Sequence, residues 1–395
     1  MRGGAVVADL AHRLVYHSLR SSHLFWLWQL LVILYIRLRM PSLVPHPPIL
    51  SPAAPSVDIV LPVRDEERNI RDSLHSLLAQ DYPRFRVIVV DDASQDHTLL
   101  LARSVAVSTD RLTVVEGLPL PSGWAGKSWA SHQGATRGDG EWILFTDADV
   151  RFHPQALAQA VRTAQADSAD LLSVLQRLEC HGFWEQVLQP VFMQFVLGVR
   201  PPFCVQSLWF RTAYATGQFI LIRRAVYERL GGYEAVRGEI ADDVALAALV
   251  KRAGCRLRLA NAVGVVDVRM YHGLGEIWAG WRKGLYPASG NKPLLAVATV
   301  FLLTTTSVLP VLTVLARLLG MRRAPARPAM LSVLLMGLAR AMGDVTLRTS
   351  PRYGWIHPLA AVVLCANYLA SMLRHYSGKG QTWKGRTYGR TTTDR

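Results

Sequence analysis

The chain has little cysteine and a deficit of acidic residues. Its four cysteines lie far apart in 395 residues, with no CxxC pair and no histidine at ligand spacing, so the sequence predicts neither a disulfide framework nor a zinc site. Lysine and arginine number 44 against 29 acidic residues, and the net charge of +15 indicates an anionic partner. No nucleic-acid recognition motif is visible, and basic residues such as Arg37 and Arg39 flank apolar segments instead. We therefore expect a membrane surface as the partner, and no nucleic acid.

Long apolar runs occur near both ends of the chain. Residues 23–39 are long enough to span a bilayer, with tryptophans at one end and arginines at the other. A cleaved signal peptide is the alternative, but no small-residue cleavage site precedes the proline-rich stretch Pro41–Pro55. Towards the C-terminus, Leu294–Leu319 and Leu359–Leu373 are further candidate spans. Met330–Met342 between them is a span, a re-entrant segment or an interfacial helix.

From residue 57 the pattern changes to alternating strands and helices. The β-branched runs Val57–Pro62 and Arg86–Val90 predict buried strands, and Asn69–Gln80 between them has helical spacing. Leu112–Val115 and Trp142–Phe145 predict two more strands. Such strand–helix–strand units form a doubly wound sheet that binds ligands at the carboxyl ends of its strands. We therefore predict an α/β domain of nucleotide-binding architecture.

Residues 183–212 are rich in aromatic side chains and poor in charge, as at Trp184, Phe192 and Trp209. One interpretation is that this stretch is simply core. The other is an interfacial helix that dips into lipid, where an apolar acceptor could enter. The sequence leaves both open.

Two acidic pairs follow predicted strands. Asp91 and Asp92 come directly after one strand, and Asp147 and Asp149 follow another, so both pairs belong at the carboxyl edge of the sheet. Carboxylates in an Asp-x-Asp turn can share a divalent cation that also binds a diphosphate. The position after a hydrophobic strand distinguishes this Asp-x-Asp from a chance surface turn.

A third acidic pair, Asp242 and Asp243, precedes a helical run that ends at Ala253-Gly254. These residues fit a helix N-cap and first turn, where the helix dipole stabilises negative charge. They also fit a general base that removes a proton from an acceptor hydroxyl. The two interpretations are compatible, because a capping turn is a rigid place to hold a base.

Taken in order, these motifs resemble family 2 glycosyltransferases of GT-A fold. The matching stretches are Leu61-Pro-Val-Arg-Asp-Glu-Glu-Arg-Asn-Ile70, Val90-Asp-Asp-Ala-Ser-Gln-Asp96, Thr146-Asp-Ala-Asp149 and Ala241-Asp-Asp243. Other stretches resemble the hopene-associated and carotenoid-type membrane enzymes of that family, namely Pro121–Ala130, Phe183–Glu185, Gly217–Arg224, Leu230–Tyr233 and Trp383–Tyr388. The resemblance covers about residues 57–290 and the tail. It implies a Rossmann-like, doubly wound mixed sheet.

The resemblance also implies residue roles. Pro62 and Glu66 would lie beside the base and ribose of the donor, and Asp91 and Asp92 would hold the nucleoside. Asp149 would be the principal ligand of Mg²⁺ or Mn²⁺, with Asp147 as a second ligand or on the donor sugar or ribose. Asp243 would be the catalytic base, with Asp242 supporting it. Lys127 would neutralise donor phosphate, although a plain surface lysine is an alternative.

One departure concerns processivity. Processive members of the family have a Gln-x-x-Arg-Trp motif after the base, whereas this chain has Trp281-Arg282 within Glu276–Gly284. These two residues would still close over acceptor and diphosphate. The altered order implies transfer of a single sugar, and the family implies inversion by direct displacement.

Two other functions compete. A metal-dependent phospho- or nucleotidyltransferase also needs aspartate pairs, but the chain has no Gly-rich P-loop. A non-catalytic membrane scaffold with the same fold would not need every acidic position, and all are present. We therefore expect an enzyme with a nucleotide-sugar donor and a lipid acceptor of hopanoid, carotenoid or polyprenyl type.

The predicted organisation is an N-terminal segment (1–22), a transmembrane helix (23–39), a linker (40–56), a GT-A domain (57–290), a C-terminal membrane region of two or three helices (291–375) and a basic tail (376–395). Because nucleotide sugars are cytosolic, we expect a multi-pass protein of the cytoplasmic (inner) membrane with its catalytic domain in the cytoplasm. A cytoplasmic basic tail fits two C-terminal spans and conflicts with three.

Overall fold

The fold is that of a computed structural model, described for residues 2–43, 53–377, 381–383 and 386–388. The chain divides into two units. The α/β unit comprises Arg39–Glu179, Arg200–Met270 and a short C-terminal hairpin, and the helical unit comprises the N-terminal helix, Cys180–Val199 and the chain from Tyr271. Parts of the predicted linker and basic tail (44–52, 378–380, 384–385 and 389–395) lie outside the described residues.

The elements follow one another along the chain as an N-terminal helix, an α/β succession and a C-terminal group of helices. In order they are α1 (Arg2–Leu38), β1 (Val57–Val63), α2 (Ile70–Leu78), β2 (Phe85–Asp91), α3 (Thr98–Ala106), β3 (Leu112–Glu116), α4 (Gly126–Thr136), β4 (Trp142–Phe145), β5 (Val150–Phe152), α5 (Ala156–Ala166), β6 (Leu171–Leu175), β7 (Arg177–Leu178), α6 (Phe183–Val199), α7 (Pro202–Gln206), β8 (Ile220–Arg223), α8 (Arg224–Arg229), α9 (Asp242–Arg252), β9 (Leu257–Asn261), β10 (Val266–Val268), α10 (Leu274–Ala288), α11 (Pro293–Leu303), α12 (Leu309–Leu318), α13 (Ala326–Thr346), α14 (His357–Tyr376), β11 (Gln381–Trp383) and β12 (Arg386–Tyr388). Short 3₁₀ turns cover Glu234–Val236 and Pro351–Ile356, and a π-helical turn covers Thr304–Val308.

A seven-stranded sheet in the order β3-β2-β1-β4-β8-β6-β9 forms the centre of the α/β unit. Strands β1 to β4 pair in parallel, β8 is antiparallel to both of its neighbours, and β6 is parallel to β9. The four predicted strands are confirmed. The apolar runs of β1, β2 and β4 are buried because helices cover a doubly wound sheet on both faces, whereas β3 lies at the sheet edge and is partly exposed. The mixed sheet confirms the predicted α/β fold class. A second sheet has the order β5-β10-β7.

The unit boundary differs from the predicted domain of residues 57–290. Helices α6 and α10 fall within that range, yet they belong to the helical unit. The physical reason is a shared apolar core, in which Val187 and Leu188 of α6, Trp281 and Tyr286 of α10 and Leu364 of α14 are buried together. The aromatic stretch that begins at residue 183 is therefore core over α6.

Within the described residues, four helices are long and apolar enough to cross a membrane, judged by length and composition: His12–Leu38, Pro293–Leu318, Ala326–Thr346 and Pro351–Tyr376. The first belongs to α1, which is longer than the predicted helix 23–39 and includes most of the predicted N-terminal segment. The chain has no proline before Pro41, so nothing in the backbone interrupts this helix earlier. The uncertain segment Met330–Met342 lies inside the third candidate, α13.

At two of the helix prolines in the described part of the chain, Pro190 and Pro310, a carbonyl that lacks its usual backbone donor accepts a hydrogen bond from a side chain of another helix. Pro190 has no N–H for the carbonyl of Gln186, which instead accepts from Arg340 Nη2 at 3.0 Å. Pro310 likewise frees the carbonyl of Thr306, which accepts from Trp26 Nε1 at 2.9 Å. An unsatisfied carbonyl is costly in an apolar environment, so these bonds fix α6 to α13 and α1 to the π-helical turn.

The Arg340 contact gives a stability prediction. Arg340 and Asp344 are fully buried and paired at 2.8 Å, so Arg340→Leu leaves an uncompensated carboxylate and an unsatisfied Gln186 carbonyl. We expect unfolding in detergent to become easier by about 3–5 kcal/mol. The double variant Arg340→Leu/Asp344→Leu removes both charges and should lose less. Exposed Arg327→Leu is the control. A double variant that loses more than the single one would contradict this account.

Candidate active site

The register of the sheet brings the predicted acidic pairs to one edge. Strands β1, β2 and β4 are parallel, so Asp91 at the end of β2 and Asp147 after β4 lie at their carboxyl ends. Strand β8 runs the other way, and its first residue Ile220 pairs with Phe145, the last residue of β4. The segment that enters β8, including Gly217, therefore reaches the same edge.

Three charged side chains meet around Gly217, and we call this set (Lys127, Asp147 and Asp243) the Gly217 junction. Lys127 Nζ, from the first turn of α4, lies 2.6 Å and 2.9 Å from the two carboxylate oxygens of Asp147. The amide of Gly217 donates to Asp243 Oδ2 at 3.0 Å. A Cβ atom at position 217 would lie 2.8 Å from Lys127 Nζ, 3.5 Å from Asp243 Oδ2 and 3.6 Å from Asp147 Oδ2. Only glycine leaves room for this arrangement.

Several charged groups interact at the Gly217 junction. Burial disfavours the charged form of Lys127, but the carboxylates of Asp147, Asp242 and Asp243 outweigh it and raise the pKa of the amine above its ordinary value. The lysine is therefore a fixed cation among three acids. Lys127 is thus an ion-paired, half-buried lysine, and its contact with donor phosphate stays a prediction.

The charge of Asp149 is poorly compensated by its surroundings. Its Oδ1 is buried and has no hydrogen-bond partner among the described residues. Burial, with the carboxylates of Asp147 and Glu66, raises the pKa of Asp149 to about 7. A buried acid held this way is suited to receive a cation. No group of three or more His, Cys, Asp or Glu side chains in the described part of the chain is arranged as a metal site.

Asp242 and Asp243 occupy the first turn of α9, as predicted from the sequence. Asp243 accepts from the Val244 amide through Oδ1 at 2.7 Å and from Gly217 through Oδ2, so both of its oxygens are oriented by backbone donors. Asp242 is buried beside it. These contacts confirm that the pair lies at the N-terminus of a helix, where the dipole stabilises negative charge.

The predicted nucleoside residues lie on neighbouring strands. Pro62 of β1 pairs in register with the residue that precedes Asp91 on β2. Asp91 and Asp92 are buried, and Asp91 Oδ1 has no hydrogen-bond partner among the described residues. Glu66 begins the turn before α2, where its Oε2 accepts from Asn69 at 2.9 Å. The structure thus collects these residues within the α/β unit.

Trp281 and Arg282 belong to α10 of the helical unit. Trp281 is buried and stacks on Phe192 with ring centroids 4.9 Å apart. Arg282 is half-buried. Their predicted contact with donor or acceptor stays a prediction.

No role is predicted from the sequence for Gly217 or Tyr233, although both lie in stretches that carry the resemblance. Tyr233 is fully buried, and burial together with Asp242 and Asp243 raises its pKa. It therefore forms part of the wall behind the acidic pair. Glycine at position 217 leaves space for Lys127 and donates its amide to Asp243, and a pattern of side chains in the sequence does not predict either contribution.

The chain is similar in sequence to known glycosyltransferases over the strands that carry these residues. Residues 58–231 match the family described as Glycosyl transferase family 2. The chain carries a family 2 glycosyltransferase domain. This match spans β1 to β8 and includes most of the site residues, and the enzyme is a glycosyltransferase.

Relatives extend the similarity beyond that domain. A 4,4'-diaponeurosporenoate glycosyltransferase of Staphylococcus aureus is 28% identical over 341 residues, covering 84% of this chain and 88% of the relative. The protein of that name from strain MRSA252 is 30% identical over 250 residues, covering 62% and 65%. A mannosyltransferase from Pyrobaculum calidifontis, solved with GDP-mannose and Mn²⁺, has a TM-score of 0.54 at 19% identity, covering 91% of this chain and 99% of that structure. The last comparison shows the shared GT-A fold.

Proposed function

We propose that this glycosyltransferase moves one sugar from a nucleotide-sugar donor to a lipid acceptor, with inversion at the anomeric carbon. The observation that carries the proposal is the Gly217 junction, where an oriented carboxylate, a half-buried cation and an Asp-x-Asp carboxylate meet at the sheet edge. A sugar transferase needs a base, charge compensation for a leaving diphosphate, and a site for the nucleoside. Contacts within the α/β unit support an assignment for each of these roles.

Donor binding is assigned to the carboxyl ends of β1, β2 and β4. Asp91 and Asp92 would hold the nucleoside through carboxylate oxygens, and Asp91 Oδ1 is buried without a partner among the described residues. Pro62 and Glu66 would lie beside the base and ribose. The Lys127 ammonium would neutralise a donor phosphate once it leaves Asp147.

A divalent cation, Mg²⁺ or Mn²⁺, fits the Asp-x-Asp carboxylates. The buried, unpartnered Asp149 Oδ1 is the observation that supports it, and Asp147 would be the second protein ligand. Carboxylate and phosphate oxygens are the donors that such cations prefer. A bound cation would act as a Lewis acid that stabilises negative charge on the diphosphate. The mannosyltransferase of the same fold was solved in complex with GDP-mannose and Mn²⁺.

Asp243 is assigned as the base. Two backbone amides hold its oxygens, so its remaining lone pairs point in a fixed direction. It would take the proton of the acceptor hydroxyl while the hydroxyl oxygen bonds to the anomeric carbon and the bond from that carbon to the diphosphate breaks. Displacement from the opposite face inverts the configuration. Asp242 supports the base from within the same helix turn.

The acceptor is assigned as a lipid because four helices in the described part of the chain are long and apolar enough to cross a membrane. The Staphylococcus aureus relatives, which are named for a carotenoid acid, also support this assignment. The same helices support a multi-pass protein of the cytoplasmic membrane. Cytosolic nucleotide sugars would require the α/β unit to face the cytoplasm.

A screen of labelled nucleotide sugars on membranes that contain the enzyme tests this function, followed by mass spectrometry of the lipid extract. We expect one hexose per lipid molecule with one donor. Transfer of phosphate or nucleotide, or labelled lipid equal to that in membranes without the enzyme, would contradict the proposal.

The Lys127 contact gives a prediction about cation binding. Lys127 competes with a cation for Asp147, so Lys127→Met should bind Mn²⁺ about tenfold more tightly without donor, by calorimetry or Mn²⁺ paramagnetic resonance. Its transfer rate should fall, because donor phosphate loses a counter-charge. Gly217→Ala keeps the amine but forces it away from its present position, so Mn²⁺ binding should strengthen there too. Unchanged Mn²⁺ affinity in both variants would contradict the competition.

A further inference from the structure

The α/β unit has a run of exposed apolar side chains on its surface. Three consecutive side chains, Leu208, Trp209 and Phe210, are 60%, 95% and 51% exposed, and the next residue, Arg211, is exposed as well. Single exposed apolar residues are ordinary on a protein surface, but a run of three is not unless it has a function. We call Leu208–Arg211 the apolar tip.

The segment before the tip is firmly held. Lys251 of α9 donates through Nζ to the carbonyls of Cys204, at 2.8 Å, and of Val205. Arg258 of β9 donates to the carbonyl of Gln206 at 2.9 Å. These hydrogen bonds fix the short helix α7 to α9 and β9, so the apolar tip projects from a rigid segment.

The segment after the tip leads into the active site. Tyr214 is buried close enough to Asp243 for that carboxylate to add to the effect of burial in raising the tyrosine pKa. Thr216 hydrogen-bonds to Ser173 through its amide at 3.0 Å. Gly217, whose amide orients Asp243, follows directly. One continuous segment therefore connects the exposed tip to the assigned base.

The composition of the tip matches the interface of a bilayer. Tryptophan has an apolar ring and a polar N–H and is enriched at the level of lipid headgroups, and an adjacent arginine can bind lipid phosphate. The net charge of +15 favours an anionic surface. The α/β unit is also tied covalently to a candidate membrane helix: α1 ends at Leu38, and the carbonyl of Pro41 already accepts from the Asn261 amide at 2.7 Å.

We infer that the apolar tip inserts into the membrane interface and forms the lip over which an apolar acceptor passes from the bilayer to Asp243. The occupant of this surface is thus a lipid bilayer. Its function as an entry for acceptor rests on the proposed function, whereas its insertion into lipid can be measured without any turnover.

Insertion is tested by fluorescence of the full chain in vesicles of phosphatidylcholine and phosphatidylglycerol. The chain has 11 tryptophans, so the emission of Trp209 is taken as the difference between the wild type and Trp209→Phe. We expect brominated acyl chains to quench this difference signal and aqueous acrylamide to leave it largely unchanged. Quenching by acrylamide would overturn the inference. A signal that neither quencher reaches, with cross-linking to a second copy, would overturn it in favour of a protein interface.

Acceptor entry is tested with a triple variant, Leu208→Ser/Trp209→Ser/Phe210→Ser. We expect the KM for the lipid acceptor to rise about tenfold while nucleotide affinity by calorimetry stays unchanged. The matched control is Leu100→Ser/Val107→Ser, which removes two exposed apolar side chains elsewhere in the same unit. An unchanged acceptor KM in the triple variant would overturn the entry function. Absence of transfer in the wild type would instead refute the proposed function, with the fluorescence result still valid.

Discussion

Replacement of Asp243 by asparagine should lower kcat about 10³-fold, because general base catalysis contributes roughly 10²–10⁴-fold. Asparagine has nearly the shape of aspartate and keeps one oxygen for the Gly217 amide, but it has no basic oxygen for the acceptor proton. The donor KM should change little, since Asp243 is assigned to the acceptor side. Steady-state kinetics with a saturating lipid acceptor measures both parameters.

Two controls separate chemistry from folding. Asp110→Asn changes an exposed aspartate of the same unit and should keep full activity. The unfolding temperature of Asp243→Asn should fall only modestly, because the asparagine oxygen can still accept from one of the Val244 and Gly217 amides and only the other loses its acceptor. A variant that folds normally and retains more than about a tenth of wild-type kcat would remove Asp243 from the role of base.

The parts of the fold that the sequence predicted are those with local causes. Strands β1, β2 and β4 are short runs of β-branched and aromatic residues, and their burial follows from that composition. The aspartates that follow them must lie at the carboxyl edge of a parallel sheet, whatever the rest of the chain does. The first turn of α9 was predicted for the same reason, since acidic residues favour a helix N-terminus.

The parts that the sequence left open depend on contacts between distant residues. Helix α6 is apolar, but its sequence does not say that its core neighbours come from α10 and α14 rather than from the sheet. The pairing of Lys127 with Asp147 joins the start of α4 to the end of β4, and the sequence of neither segment predicts contact with the other. Gly217 shows the limit most clearly. Its role is the absence of a side chain, and only the positions of its neighbours reveal that.

Asp149→Asn should weaken Mn²⁺ binding at least about 100-fold, because loss of even an outer-shell partner typically costs 10–100-fold in metal affinity. The substitution removes a negative charge from a buried position where Oδ1 has no other partner among the described residues. Calorimetry with Mn²⁺ and a nucleoside diphosphate measures this without turnover. The transfer rate should fall in parallel, since charge on the leaving diphosphate would lose its compensation.

Asp149→Asn also separates a metal-dependent site from one in which Lys127 alone compensates the diphosphate. With a metal, added Mn²⁺ at high concentration should restore part of the activity of Asp149→Asn, and chelation should abolish that of the wild type. With Lys127 alone, neither treatment should matter, and Asp149→Asn should gain stability because a buried, poorly compensated carboxylate has been neutralised. Asp147 is less informative, because its loss also releases Lys127 from its ion pair. The Asp149→Asn variant is therefore the decisive test of the metal assignment.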